Sequence, residues 1–446
     1  MGCFSEEDCK VCMTHGADFD IIFLALARWD APYSSTALSL AKALSKETRV
    51  FYIDNPVTVA EFIRKRNSPA MKLRKKRLQT GDTCFTPDAS HPNFFVVTPA
   101  FALPINWLPA GFLYDSFSRL NDQRISATIN SVLRTQHVKR FILVNSFNPL
   151  FGNALSLDIE PILRVYQSVD DIQQAPYLDK HGSYLEKLQV AATDFTLVTS
   201  SHLLQKLATH GRHVYHLPNA ANTSLFSQAI TKSFSRPVLL NAVPAMAKVV
   251  TYIGNICQRL DYELIQKVAK THPEKFIVLV GPHALRHKSS VTYFEKTGIA
   301  KLSNVILTGP QSQKDLPALL QHSHCCIIPF LCNDLTKSIY PLKINEYLAA
   351  GKPVVSTAFS ADILGFRQVA TIAENHQQFV NAIDKAIADD SKTRQTERLL
   401  FAAGNTWEAR ARTFIELAVE FLKHHDRRTG FQRRRGKQIL NRNHAE

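Results

Sequence analysis

The chain has 446 residues, a formal net charge of +15 and a hydrophobic content of 45%. This length predicts two domains of ordinary size, and the composition is typical of a globular protein. Eight cysteines are too few for a disulfide scaffold in a chain this long. Residues 1–18 have no apolar signal core, and we predict a flexible tail on a cytoplasmic protein. The lone Cys9-x-x-Cys12 has no second ligand pair at finger spacing, so no metal site is predicted.

The first elements predict a β-α-β unit. Residues 19–27 form a continuous apolar run, which is typical of a strand that is buried on both faces. A helical pattern over 34–47 and a second strand over 49–56 complete the unit.

A basic segment follows at 61–77. Between Glu61 and Arg77, eight basic residues stand against one acid, and Phe62 and Ile63 lie beside them. Such a cluster favours an anionic surface, and the apolar neighbours favour a membrane. We predict that 61–77 contacts the inner membrane face peripherally, the alternative being a solvated loop.

The most apolar window runs from Phe94 to Tyr114. Three prolines interrupt it, so it predicts a core strand and a loop rather than a membrane-spanning helix. Buried strands of this half are predicted over 93–99, 139–146, 164–171, 195–201 and 213–220. We therefore predict a Rossmann-like domain over 19–220.

A second series of strands follows a segment without strong periodicity, 221–248, which we predict to be a linker. The strands of this series are predicted over 249–255, 275–282, 304–310, 324–330, 353–357 and 369–374. They predict a second doubly wound α/β domain over 249–404.

Three strands of the second series end in glycine. One exits at Gly254-Asn255, and two end in Gly-Pro pairs, Gly281-Pro282 and Gly309-Pro310. In open α/β sheets, ligands bind beyond the carboxyl ends of the strands. These glycines therefore indicate close approach of the backbone to a ligand, with ordinary tight turns as the alternative.

A helix is predicted to begin at Pro341 in the stretch SIYPLKINEYLAAGKPVVST. Lys343 and Glu346 are three residues apart, so they share a face near the start of this helix. The helix dipole favours an anion there, lysine adds a point charge for phosphate, and an ionised glutamate suits ribose hydroxyls. The alternative is an exposed ion pair.

The last predicted helix covers 405–425, where a capping residue precedes an apolar stripe. The basic residues after it predict a disordered tail over 426–446. We predict no nucleic-acid partner, because Phe431 is the only aromatic residue of the tail that could stack on bases.

The pair Lys343 and Glu346 resembles the donor-site signature of retaining glycosyltransferases of the family 4 (group 1) kind, which have the GT-B fold. Other segments resemble that family in the same order: ARWDAPYSS (27–35), ATDFTLVTSSHLLQKL (192–207), HLPNAANTSLF (216–226), VTYIGNICQRLDYELI (250–265), residues 304–330 and the helix at Trp407. The resemblance covers most of 19–424. It is greatest to transferases of capsule, exopolysaccharide and teichuronic-acid synthesis.

The resemblance implies two Rossmann-like domains that face a cleft, with a C-terminal helix that crosses back to the N-terminal domain. It implies transfer, with retention, from a nucleotide diphosphate sugar to a saccharide or lipid-linked acceptor, with UDP favoured over GDP and no required cofactor or metal. The implied donor-binding residues are Gly254, Asn255, Arg259, Gly281, Pro282, Gly309, Pro310, Asn333, Thr336, Leu342, Lys343 and Glu346. The candidates for acceptor activation are Asp30, Asp170 and Asp171, with helix capping as their alternative role.

Two departures from the family pattern leave other functions open. Ser338 stands where the family has a glutamate eight positions before Glu346, and Ala220 replaces the usual glycine after Asn219. The alternatives are a nucleotide-sugar epimerase or phosphorylase of the same fold, and a protein that binds nucleotide sugars without catalysis.

Overall fold

A computed structural model of the chain describes residues 18–31, 35–174, 177–282 and 298–423. The predicted tail from 426 to 446 and nearly all of the predicted tail at 1–18 lie outside these ranges. The described residues divide into two compact units. The first contains the residues up to Leu197, the segment Leu207–Tyr215 and the residues from Arg410 onward; the second contains Val198–Lys206 and His216–Ala409.

The first unit is built on an eight-stranded sheet. Its strands are β1 (Asp20–Ala25), β2 (Val50–Ile53), β3 (Cys84–Phe85), β4 (Phe94–Val97), β5 (Phe141–Ser146), β6 (Leu163–Ser168), β7 (Phe195–Val198) and β8 (Val214–His216). They are ordered β3-β4-β2-β1-β5-β6-β7-β8, with β1 parallel to both β2 and β5. The predicted strands are present, and all except β8 are buried as predicted; β8 is half-buried to exposed. The short edge strand β3, antiparallel to β4, was not predicted.

Helices cover the sheet of the first unit. They are α1 (Thr36–Leu44), α2 (Val59–Lys65), α3 (Pro69–Thr80), α4 (Phe112–Thr135) and α5 (Gly182–Ala192). The basic segment forms α2 and α3 rather than a loop. Ser68 caps the start of α3, and Gly81 ends it in the left-handed conformation with φ 75°.

The second unit is built on a six-stranded sheet. Its strands are β9 (Lys248–Ile253), β10 (Lys275–Val280), β11 (Val305–Gly309), β12 (Cys325–Ile328), β13 (Val354–Thr357) and β14 (Thr371–Ala373). The order is β11-β10-β9-β12-β13-β14, and every pair is parallel. Its helices are α6 (Ser201–Leu207), α7 (Thr223–Phe226), α8 (Gln228–Thr231), α9 (Tyr262–Thr271), α10 (Leu316–Gln321), α11 (Leu342–Ala349), α12 (Ala361–Leu364), α13 (His376–Ala388) and α14 (Lys392–Ala403). The predicted second doubly wound domain is confirmed.

The prediction of a linker at 221–248 is wrong. This segment contains α7 and α8, and Phe226 and Leu240 are fully buried in the hydrophobic core of the second unit. Its apolar residues are spaced irregularly, so they show neither the period of a strand nor that of a helix although they are buried.

The last helix, α15, covers 407–423, and Thr406 caps it by accepting a hydrogen bond from the Ala409 N–H at 3.0 Å. Residues 424 and 425 of the predicted helix lie outside the described ranges. The Phe421 ring packs on Phe195 with 4.8 Å between ring centroids, which anchors the later turns in the first unit. Among the described residues, no helix is both long and apolar enough to span a bilayer.

Candidate functional site

The second sheet has a topological switch point beside β9. This strand lies between β10 and β12, so successive connections leave it on opposite sides. Ligands of open α/β sheets bind at such a point, outside the carboxyl ends of the strands. Gly254 follows β9, and α11 lies in the connection that follows β12. The switch point therefore brings Lys343 and Glu346 of α11 next to the predicted glycine turn.

The glycines at this edge allow one backbone to approach another. Gly254 and Gly281 have φ values of 149° and 146°, and a Cβ built on Gly281 would lie 1.9 Å from the Gly254 carbonyl oxygen. Gly309 has φ 71° with open space around it, so only its conformation favours glycine. The two Gly-Pro ends therefore differ: the first packs on the Gly254 turn and the second does not.

The backbone N–H of Gly254 is bonded within the protein. It donates to the Val280 carbonyl at 2.8 Å, and the Gly281 N–H donates to the Gly309 carbonyl at 3.0 Å. Gly254 contributes to the site because it has no side chain. A Cβ there would lie 3.3 Å from the Lys343 Nζ, so the missing side chain leaves room for that ammonium group.

Alanine at position 281 is expected to displace the Gly254 turn. The added Cβ cannot share space with a carbonyl oxygen, and the backbone conformation is strained for any side chain. We expect a loss of stability of about 1–3 kcal/mol and a loss of ligand binding at this edge. Gly309→Ala is the control, because its φ of 71° lies in the left-handed region that costs alanine less, and nothing lies within 4 Å of the added Cβ. Equal effects in urea unfolding and ligand titration would contradict this reading of the turn.

Lys343 is half-buried beside two aromatic rings. Its Nζ lies 5.3 Å from the ring centroid of Tyr252 and 4.7 Å from that of Phe330. Burial lowers the pKa of Lys343 to about 8; the charge of Glu346 opposes this change and the charge of Arg259 adds to it. The site therefore places two cations near each other, which a bound polyanion would stabilise.

Glu346 is half-buried as well, and burial raises its pKa to about 7 although the charge of Lys343 opposes the change. Within the described part of the chain, no hydrogen bond involves the Lys343 ammonium or the Glu346 carboxylate. Partly buried charged groups normally have partners. Two such groups at a switch point therefore indicate that a ligand supplies the hydrogen bonds.

The start of α11 leaves backbone donors for an anion. Its N-cap is Pro341, which offers no side-chain hydrogen bond, so the positive end of the helix dipole lies open beside Lys343. The start of α9 differs, because the Asp261 carboxylate caps it by accepting from the Leu264 N–H at 2.9 Å. Among these two helices, only α11 thus starts without a side-chain cap that would compete with a bound anion.

Residues that sequence analysis missed hold α11 in place. The Tyr347 hydroxyl oxygen accepts a hydrogen bond from the Ile253 N–H at 2.7 Å, which fixes the helix to β9. The fully buried Asn345 donates to the Asn219 carbonyl at 3.3 Å, and Asn219 in turn donates to the Tyr340 carbonyl at 2.9 Å. The sequence signal for this supporting role was an asparagine among the apolar residues of a short helix.

The other residues predicted to bind the donor differ in how far they are exposed. Arg259 and Leu342 are half-buried at this edge, and the Asn255 carbonyl accepts from the Tyr252 hydroxyl at 3.1 Å. Pro282 is half-buried, and Pro310 is exposed beyond Gly309.

Asn333 and Thr336 shape a turn instead. The Asn333 side-chain oxygen accepts from the backbone N–H groups of Leu335 at 3.1 Å and Thr336 at 3.2 Å. The Thr336 hydroxyl donates to the Leu331 carbonyl, and the residue is fully buried. This burial contradicts our prediction that Thr336 contacts the donor. Ser338 is fully buried too, with its hydroxyl directed at the Leu335 carbonyl.

Asp30 is part of an ion-pair network in the first unit. Arg74, whose side chain is only 3% exposed, donates to both carboxylate oxygens of Asp30 at 2.7 and 2.8 Å and to Asp54 at 2.6 Å. Burial favours a higher pKa for Asp30, but the hydrogen bonds and charge of Arg74 outweigh it and lower the pKa. A carboxylate held in this way is a weak base, so the pairing disfavours Asp30 as the group that activates an acceptor, which stays a prediction.

The other two aspartates follow β6. Asp171 is buried and accepts from the Gln173 N–H at 3.0 Å, so it has the capping role that was the alternative. Asp170 is half-buried and accepts from the Asp171 N–H at 3.0 Å.

A cavity of about 520 Å³ lies in the first unit. Its lining follows the carboxyl ends of β1, β2, β4 and β5, where Arg28, Asn55, Trp107 and Phe151 are found. Arg28 donates to both carboxylate oxygens of Glu61, at 3.0 and 2.6 Å. The buried Asn55 side-chain oxygen has no hydrogen-bond partner among the described residues. The cavity thus combines apolar walls with polar groups that a ligand could satisfy.

One group of side chains among the described residues has the spacing of metal ligands: His272, Glu274 and Asp384. The Lys275 Nζ lies 2.7 Å from an Asp384 carboxylate oxygen and also pairs with Glu274. Lys275 is the first residue of β10 and Gly281 follows its last residue, so the group lies at the amino ends of the strands, away from the candidate site. An ammonium already neutralises these carboxylates, so the group does not fit a metal at the candidate site.

Part of the second unit matches a known protein family. Residues 247–389 match the sequence model of the family described as Glycosyl transferases group 1. A Bacillus subtilis (strain 168) protein named as a teichuronic acid biosynthesis glycosyltransferase, TuaH, is 33% identical over 155 residues, which are 34% of this chain. The match spans only 37% of the length of that relative.

Solved structures share the fold across nearly the whole chain. The sucrose-phosphate synthase of Thermosynechococcus elongatus has a TM-score of 0.62 at 14% identity, with 91% of this chain and 100% of that chain covered. Anabaena Alr3699/HepE in complex with UDP has a TM-score of 0.58 at 15% identity, with 90% and 100% covered. Residues 247–389 of the second unit thus match the group 1 glycosyltransferase model, and the chain shares the two-domain α/β fold, GT-B, of these solved structures.

Proposed function

We propose that the protein is a retaining glycosyltransferase that moves a sugar from a nucleotide diphosphate sugar to a saccharide or lipid-linked acceptor in cell-surface polysaccharide synthesis. The observation that carries the proposal is the pair Lys343 and Glu346 at the switch point. Both charged groups are half-buried, and neither has a hydrogen-bond partner in the described ranges. A diphosphate and a ribose would supply the missing partners.

The positive charges fit the chemistry of the leaving group. Breaking the anomeric bond places negative charge on the β-phosphate, and fixed positive groups stabilise that charge in the transition state. Lys343, Arg259 and the open start of α11 are such groups, and they lie on one edge of the sheet. The proposed transfer therefore requires no metal ion, and a chelator is expected to leave the rate unchanged.

Glu346 is proposed to bind the ribose. An ionised carboxylate accepts hydrogen bonds from two hydroxyl groups, and its position three residues after Lys343 suits a sugar next to a phosphate. UDP is favoured over GDP, since a structure with the same fold is described in complex with UDP. The relative named for teichuronic acid biosynthesis supports a role in cell-surface polysaccharide synthesis.

The acceptor is proposed to bind in the 520 Å³ cavity of the first unit. Asp30, Asp170 and Asp171 stay the candidates for its activation, and we favour Asp170 because it is half-buried, whereas Asp171 is buried and Asp30 is paired with Arg74. Peripheral contact with the inner membrane face through 61–77 is part of the proposal. Arg64, Lys72 and other exposed bases of α2 and α3 support it, although the burial of Arg74 removes one base from that surface.

The alternative function is a protein of the same fold that does not transfer a sugar to an acceptor. Ser338 is buried and replaces the acid that the family pattern has, which favours a protein that only binds nucleotide sugars. An epimerase or a phosphorylase is the other alternative. These readings differ in their products, so one reaction mixture separates them.

Incubation of the protein with a panel of UDP sugars, followed by NMR, tests the proposal. We expect slow release of UDP from one donor even without acceptor, and the first free sugar to keep the anomeric configuration of the donor. Release of the opposite anomer would contradict retention, and a sugar phosphate would indicate a phosphorylase. Binding without any turnover, with acceptor extracts present, would establish the non-catalytic reading.

A further inference from the structure

We infer that an exposed apolar surface of the first unit docks on an anionic lipid bilayer. The docking surface is defined by Trp107, Phe112, Leu113, Phe117, Tyr177 and Tyr184. None of these residues belongs to the basic segment 61–77. The inference rests on the proposed function only in assigning the adjoining cavity to an acceptor.

The residues of the docking surface are unusually exposed for their type. Trp107 is 72% exposed, Phe112 83% and Leu113 61%. Single exposed apolar residues are normal, but a cluster of them marks an interaction site. The other side of α4 is buried through Tyr114, so the exposed residues form a separate face of that helix.

Contacts between two segments make the docking surface continuous. The Lys180 Nζ donates to the Trp107 carbonyl at 2.6 Å, and the Tyr114 ring stacks on His181 with 3.9 Å between ring centroids. These contacts join the region around Trp107 and the start of α4 to the region that carries Tyr177 and Tyr184. The two stretches thus belong to one region of the surface of the first unit.

The docking surface adjoins the cavity. Trp107 and Tyr177 line the cavity and are also exposed, so they form its rim. On another side, α2 packs beside the lining through the Phe62 and Phe101 rings, whose centroids are 4.6 Å apart. Ile63, next to Phe62, is 61% exposed and is followed by three basic residues. The cavity mouth therefore lies between exposed apolar residues and exposed positive charge.

This combination fits a bilayer better than a protein partner. Tryptophan and tyrosine are favoured at the membrane interface, where an apolar ring and a polar atom are both satisfied. Basic residues near the surface add attraction to anionic headgroups. Lys180 and Lys187 stand exposed among the aromatic residues, whereas the cores of protein interfaces are depleted in lysine. An amphiphilic acceptor could then pass from the bilayer into the cavity without crossing water.

Vesicle co-sedimentation of the full chain tests the docking surface. The vesicles contain phosphatidylglycerol mixed with phosphatidylcholine, or phosphatidylcholine alone. We expect binding to the mixed vesicles and a roughly tenfold loss of affinity in Phe112→Ser/Leu113→Ser, since two large apolar groups no longer leave water. The matched control is Val238→Ser/Leu400→Ser, two exposed apolar residues of the second unit, which should bind like the wild type.

Tryptophan fluorescence supplies a local readout. The mixed vesicles should shift Trp107 emission to shorter wavelength, and Trp107→Phe should abolish the shift, since Trp29 and Trp407 are more buried. UDP titration of the Phe112→Ser/Leu113→Ser variant should give the wild-type affinity, because neither residue lies in the proposed donor site. A docking defect with normal UDP binding supports the inference, and absent UDP binding in the wild type would refute the proposed function alone.

Three results would overturn the inference. The first is no binding of the wild type to either kind of vesicle. The second is equal loss in the Phe112→Ser/Leu113→Ser variant and its control. The third is a concentration-dependent self-association that Phe112→Ser removes while vesicles have no effect, which would assign the surface to a second copy of the chain.

Discussion

Replacement of Lys343 by methionine is expected to reduce the transfer rate by roughly one hundred- to one thousand-fold. The ammonium group lies beside the Gly254 turn and the start of α11, where negative charge on the leaving β-phosphate would develop. Methionine keeps the length and apolar contacts of the lysine stem against Tyr252 and Phe330, so the fold should persist. Initial rates of UDP release with saturating donor measure the effect.

Lys385→Met is the control for the loss of one positive charge. Lys385 is exposed in the last turn of α13, far along the chain from the site, and its loss should leave the rate unchanged. If Lys343→Met retained more than about half of the wild-type rate, the lysine would have no part in stabilising the transition state.

The same lysine predicts a pH dependence. Its pKa of about 8 in the free protein means that kcat/KM should fall as pH rises through about 8, when the ammonium loses its proton. A bound diphosphate favours the charged form, so the alkaline limb of kcat should lie at higher pH. On the acid side, the pKa of about 7 for Glu346 predicts a fall in kcat/KM below that pH, and Glu346→Gln should remove this limb.

Replacement of Arg74 by methionine is expected to destabilise the first unit by about 3–5 kcal/mol. Arg74 and Asp54 are 3% and 1% exposed at their side chains, and the variant would leave the Asp54 carboxylate buried without its cation. Burial already raises the pKa of Asp54 although Arg74 opposes that change. Urea unfolding followed by tryptophan fluorescence, in a Trp407→Phe background, reports on the first unit.

Lys75→Met is the matched control on the same helix. Lys75 is exposed, so the same change of charge should alter the free energy of unfolding by less than about 0.5 kcal/mol. Adding Asp54→Asn to Arg74→Met should recover part of the lost stability, because no unpaired charge then remains buried. Similar stability of Arg74→Met and Lys75→Met would mean that the ion pair is not buried in solution.

The architecture was predictable from local patterns, and some of its details were not. Strands that are buried on both faces have continuous apolar sequences, so runs such as the one at 19–27 were recognisable. The edge strand Cys84–Phe85 has only two residues and no such run. The segment 221–248 was misjudged because burial of Phe226 and Leu240 depends on the surface that they pack against, which no periodicity reports.

The network of Arg74 shows a limit of another kind. The basic segment could be counted from the sequence, but Asp54 and Asp30 lie 20 and 44 residues away from Arg74 along the chain. Only the fold brings these carboxylates to the arginine. A surface assignment based on charge alone therefore included a core residue, and the same contact disfavours Asp30 as a base.

The part of the candidate site that could be predicted from the sequence is the part that depends on local structure. The positions of Lys343 and Glu346 follow from helix geometry and the dipole at a helix start, which are local properties. The hydrogen bond from the Gly254 N–H to Val280 depends on the register between β9 and β10, which is not local. The support of α11 by Tyr347 depends on the packing of this helix against β9, which is not local either.

Calorimetric titration of the purified protein with UDP and with GDP, without metal, tests the assignment of Lys343 and Glu346 most directly. We expect UDP to bind in the micromolar range, GDP to bind more weakly, and Glu346→Ala to weaken UDP binding by roughly tenfold or more. That result would support Glu346 as the ribose contact of a nucleotide site. Absence of binding by either nucleotide, or equal UDP affinity in Glu346→Ala, would contradict it and reduce the pair to an ion pair on a helix.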